Sequence, residues 1–235
     1  MRMRLALFLV TALPAVAFGQ TLPPDINAVT LSRMPPINRA ELDADGQKAL
    51  DARATPPTPA PGPGGVTVWS PRATEGLGVI GRALGVPRGD AFPLGGRMFQ
   101  LIVLITAREI DQQYEWSAHE PAGLRAGLEQ AVIDVVKYNR DVAGLAARDA
   151  LVIRYFRALM REHKVSSELW AAMVKEFGRQ RIVDMMMLMA DYFTVGTMMN
   201  AVDHEGQRPL HHGHRALRVH LQRERAVHET HGPEH

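Results

Sequence analysis

The chain has 235 residues, 46% hydrophobic and 6% aromatic, enough apolar content for a buried core but too few aromatic and β-branched runs for a sandwich or barrel. It has no cysteine, which excludes disulfide frameworks, thiolate metal sites, iron–sulfur clusters and thiol redox chemistry. The formal net charge is only +2, with Lys and Arg dispersed among acids, so the sequence offers no basic face for nucleic acid.

In chain order, the first element is a charged start, Arg2 and Arg4, followed by an apolar run at 5–17 and small residues Ala17 and Gly19 before Gln20. This pattern predicts a secretory signal over 1–19, because the apolar run is too short for the roughly 20 residues of a spanning helix. A periplasmic or secreted protein without stable membrane insertion is expected. Cleavage would remove two basic residues and leave the charges balanced. From 20 to 65 come the pairs Pro23-Pro24, Pro35-Pro36 and Pro56-Pro57. Proline fixes φ and lacks an amide donor, so this stretch is expected to be an extended lead with at most a short helical piece near 39–52.

Helical periodicity dominates the remainder. It predicts helices near 72–84, 94–110, 113–128, 128–138, 143–162, 166–177 and 179–202, an all-α domain of six or seven helices over 66–205. Ser166 or Ser167 fits an N-cap, and Gly178 a stop between the last two helices. The stretch 182–202 is apolar nearly all round, with Asp184 and Asp191 its only charges. Such a helix needs cover on most sides, which predicts a homo-oligomer.

The passage with most chemical content runs from Arg108 through Gln112, Tyr114, Glu115, Trp116 and His119 to Glu120. On a helix, Glu115 and His119 are four apart and share a face, so the carboxylate can orient the imidazole and the pair can move protons. From spacing alone, a solvated surface pair is the commoner arrangement.

Tyr114-Glu115-Trp116 followed by His119 resembles the signature of the carboxymuconolactone decarboxylase family. The resemblance extends upstream over 94–104, downstream over 122–128, and more loosely to about 205. It implies the alkylhydroperoxidase D-like helical fold, assembled as trimers or hexamers, and a lyase reaction on a small carboxylated lactone or related organic acid, with no metal or organic cofactor. Glu115 and His119 are the catalytic residues so implied, and Arg97, Gln100, Arg108, Gln112 and Trp116 the candidate substrate contacts. Two departures bear on activity. Gln112, Glu115 and His119 occupy the spacings of the superfamily's Cys-x-x-Cys-x-x-x-His motif, so a thiol peroxidase relay is chemically impossible here. Gln100 stands where family members often place a glutamate, and an amide cannot relay a proton. An exported binding or assembly protein on the same scaffold is therefore the alternative to a lyase.

Eight of the ten histidines lie from His204 onwards, most of them in the tail 206–235. A weakly metal-scavenging tail is the expectation there, with no structured metal site. The methionines of 185–199 could serve exported copper as thioether ligands, but fit a flexible apolar core filling better.

Overall fold

A computed structural model describes residues 23–52, 62–86 and 89–204. The signal segment 1–19, the proline run through Pro56-Pro57 and the tail histidines beyond His204 lie outside the described residues. Among the described residues the chain is all-α: a 3-10 turn at Arg39–Glu41 and eight helices, with no strand. The helices are α1 (Ala44–Asp51), α2 (Pro63–Thr67), α3 (Pro71–Leu84), α4 (Gly95–Glu109), α5 (Gln113–Arg125), α6 (Gln130–Lys137), α7 (Ala147–Glu162) and α8 (Ser167–Ala201).

Local chemistry sets the ends of these elements. Proline occupies the first turn of both α2 and α3, where its missing N–H costs nothing. Helix α3 stops at Gly85, in the left-handed region at φ 72°. Ser166 caps α8 by accepting from the Leu169 amide at 3.2 Å. Gly178, at φ 73° and ψ 157°, breaks the helical backbone inside α8 and leaves two rods, 167–177 and 179–201.

Helix α4 is the centre of the molecule. Every residue from Met98 to Arg108 is buried, and α5, α6, α7 and α8 all pack against it. Leu101, Ile102, Val103 and Leu104 are completely enclosed, each worth about 2 kcal/mol of burial. Gly123 lets α5 approach closely, because a Cβ there would meet Leu128 at 3.3 Å and Leu104 at 3.5 Å.

Two expectations about packing are modified. The described part of the lead is not merely extended. The Asn27 side chain accepts from the amides of Val29 and Thr30 in a tight turn, and the Thr30 hydroxyl donates to the Met34 carbonyl at 2.6 Å. With its polar groups satisfied locally, the turn buries Ile26 and docks on the end of α8, where the Arg33 amide donates to the Val202 carbonyl at 2.8 Å. Leu42 and Leu50 form a small second cluster with Val68. Helix α8, for its part, is covered on one face by its own chain: Ile182, Met185, Leu188 and Met199 are fully enclosed, whereas Val183, Met187 and Phe193 are exposed.

Candidate acid–base site

Helix α5 carries the Glu115–His119 pair, and its start is fixed from two directions. Asp111 turns the chain at φ 54°. Gln112 then caps α5 by accepting from the Tyr114 amide, while its Nε2 donates to Asn200 Oδ1 of α8 at 2.9 Å. Asn200 in turn donates to the Ile110 carbonyl at 2.8 Å. Gly196 completes the junction, since a Cβ there would lie 2.4 Å from Ile110 Cδ1. The last turns of α8 are thereby drawn across the first turn of α5.

Glu115 and His119 are both about 95% buried, so the pair is not a solvated surface bridge. His119 Nε2 lies 3.5 Å from Glu115 Oε2, an electrostatic contact longer than a good hydrogen bond. His119 Nδ1 lies 2.7 Å from Gln100 Oε1. An amide oxygen only accepts, so Nδ1 carries a hydrogen and Nε2 is the nitrogen turned to the carboxylate. Tyr192 meets the imidazole edge to face, with centroids 5.0 Å apart at 89°, and Phe99 packs on its other side at 6.3 Å.

Beside this group lies a cavity of about 430 Å³, walled by α2, α3, α5 and α8. Tyr114, Glu115, His119, Asp191 and Tyr192 supply its polar border, and Pro63, Leu77, Val86 and Val195 much of its apolar wall. Asp191 and Tyr192 are each 5% exposed. Asp191 Oδ1 and the Tyr192 hydroxyl are shielded from solvent and have no hydrogen-bond partner. Burial, reinforced by the nearby Glu115 charge, pushes the Asp191 carboxyl up to about 6. The same two causes, with Asp191 as a third, hold the Tyr192 phenol far above its ordinary range, and burial raises Tyr114 likewise.

Of the residues singled out in the sequence, Glu115 and His119 border the cavity and Gln100 positions His119 from behind. The other four are corrected from substrate contacts to framework. Arg97 makes a two-pronged pair with Asp149, at 2.9 and 2.7 Å, and also meets Glu129. Arg108 donates to the Lys137 carbonyl at 3.0 Å and pairs with Asp111 at 3.2 Å. Trp116 is enclosed, its indole N–H donating to Glu120 at 2.8 Å. Gln112 is the α5 cap described above.

Asp191 and Tyr192 were missed as site residues. A signal for Asp191 does exist. Asp184, the other acid of the apolar stretch, has Arg181 three residues earlier and pairs with it at 2.9 Å, whereas no cation lies three or four positions from Asp191. His204 is the one described member of the tail cluster, and it serves structure: its Nε2 accepts from the Gly62 amide at 3.1 Å, and its ring packs against Tyr114 at 5.2 Å. Comparison of the chain with family models, curated proteins and solved structures gave no match.

Proposed function

We propose that the cavity is a cofactor-independent acid–base site at which Glu115 and His119 move a proton to and from a small organic molecule. The observation that carries this reading is the buried chain Gln100–His119–Glu115 opening on a cavity large enough for a compact ligand. Gln100 fixes the imidazole's orientation, and the low-dielectric surroundings strengthen whatever charge the pair presents. The resemblance to carboxymuconolactone decarboxylases suggests a lyase reaction, loss of carbon dioxide or an allied lactone step. The electron pair left behind would then be stabilised by a cationic His119 and quenched by a proton from the pair. Arg97 and Arg108, committed elsewhere, take no part.

Binding without turnover is the second reading. It is favoured by Gln100, which orients His119 but holds no proton to pass on. Export through the 1–19 segment also favours it, because decarboxylation in the resembled family is intracellular catabolism. Self-association belongs to both readings, and Val183, Met187 and Phe193 are the exposed apolar side chains on α8.

The test is a thermal-shift screen over lactones, ring-cleavage acids and small amines, followed by turnover assays on each hit. For an acid–base site, Glu115→Gln and His119→Gln lower turnover roughly 100-fold or more while the melting temperature holds. Full activity in both variants ends the catalytic reading.

A further inference from the structure

On the reading of the cavity as a ligand site, but against the carboxylated substrate that the family resemblance suggests, we propose that it takes a small organic cation, a protonated amine on an apolar body, in preference to a carboxylate. Glu115 and Asp191 are both acids, and among the described residues His119 is the only basic residue in the lining. Helices α2 and α3 contribute Pro63, Thr67, Thr74 and Leu77 and no titratable group. The α3 guanidinium nearest the cavity, Arg82, is exposed and outside the lining, with Nη1 3.4 Å from where a Gly78 Cβ would be. The remaining titratable groups are the Tyr114 and Tyr192 phenols, and both stay neutral.

The second observation is that Asp191 is unpaired. It borders the cavity, is 95% buried, and its Oδ1 accepts no hydrogen bond. A buried carboxylate without a partner is costly, and a ligand that brings both an N–H donor and a positive charge removes that cost. An ammonium group does so. A carboxylate would instead add a third acid to the two already bordering an apolar chamber. The rings of Tyr114 and Tyr192 add aromatic lining, which suits an organic cation. Asp191 also reports which charge enters, since its carboxyl is already held up to about 6 by burial and by Glu115. A cation binds best to the ionised form and so gains affinity as pH rises through this value. An anion binds best to the protonated form and loses affinity over the same interval.

Benzylamine, benzyl alcohol and phenylacetate are matched probes for the full chain, read by calorimetry and thermal shift. Benzylamine, protonated across the range, is expected to bind at least tenfold tighter than the other two at about pH 8, and to weaken about tenfold at about pH 5 as Asp191 takes up a proton. Asp191→Asn removes both the preference and the pH dependence. Leu77→Trp, which fills the cavity, abolishes binding. Should Asp191→Asn fail to fold, the pH profile of the unaltered chain decides. Tighter binding of phenylacetate or benzyl alcohol, lost in Leu77→Trp, overturns the cation proposal and leaves the ligand site standing. Benzylamine binding that survives Leu77→Trp, or that is indifferent to both pH and Asp191→Asn, overturns it as well. Failure of all three probes to bind counts against the ligand site and the cation preference together.

Discussion

His119 Nδ1 and Gln100 Oε1 face each other at 2.7 Å across the α4–α5 interface, both residues buried. This contact places a hydrogen on Nδ1 and turns Nε2 to Glu115. Replacing Gln100 with Leu removes the acceptor while keeping the volume. The expected outcome is loss of the single tautomer in the imidazole nitrogen NMR signals of His119, and a turnover decrease of roughly tenfold or more on any substrate found. An unchanged nitrogen spectrum in Gln100→Leu would show that the contact does not orient the ring.

Asp191 makes stability depend on pH. Its carboxyl is held up to about 6 in the folded chain, against 3.8 ordinarily. The folded state therefore favours the protonated form: the contribution to stability is fully present below about pH 4 and is withdrawn as pH rises through about 6. Relative to Asp191→Asn, the unaltered chain is expected to lose up to about 3 kcal/mol over that interval, with no further divergence above about pH 7. Urea melts of both proteins across the range check this, and parallel pH curves contradict it.

His204 has the opposite sign. Burial holds its pKa below the ordinary 6.5, so the folded chain resists a proton that the unfolded chain accepts. Its contribution is intact above about pH 6.5 and is lost as pH falls through the folded value. A proton on Nε2 would also replace the acceptor that the Gly62 amide uses. His204→Gln keeps an acceptor without titrating and is expected to melt with less acid sensitivity. His204→Leu strands the Gly62 N–H at a cost of about 1–2 kcal/mol at neutral pH.

Arg97 and Asp149 test the division between frame and site. Asp149 is 3% exposed, and Arg97→Leu leaves its charge buried without the two-pronged partner. The expected loss is roughly 3 kcal/mol, largely restored when Asp149→Leu is added. Ligand binding in the cavity is expected to be unchanged in every folded variant of this pair. Weakened binding at constant stability would return Arg97 to the site.

The residues that announced themselves in the sequence did so through short-range chemistry. Ser166 caps, Gly178 breaks and Glu115 and His119 share a face because each depends on neighbours within one helical turn. Arg97 and Arg108 share that local pattern, but their partners Asp149 and Lys137 lie 52 and 29 positions away, and periodicity does not say which way a guanidinium turns. The role of Asp191 depends on where α8 crosses α5. That crossing is set by Gln112 with Asn200, 88 positions apart, and by the absence of a Cβ at Gly196. The folded part of the lead escaped for a similar reason, since Arg33 finds its carbonyl partner at Val202, beyond any window in which proline content is informative.

The cavity draws its walls from helices as far apart in sequence as α2 and α8, and Gly62 is tied to His204 across 142 positions. A chain emerging from the ribosome therefore presents Glu115 and His119 to water long before α8 arrives to enclose them. Only when synthesis has passed α8 can α2 and α8 pack together, so the walled cavity is confined to the completed domain. A nascent or proteolysed chain ending before Asp191 would retain α4 and α5 yet lack the wall that makes the chamber.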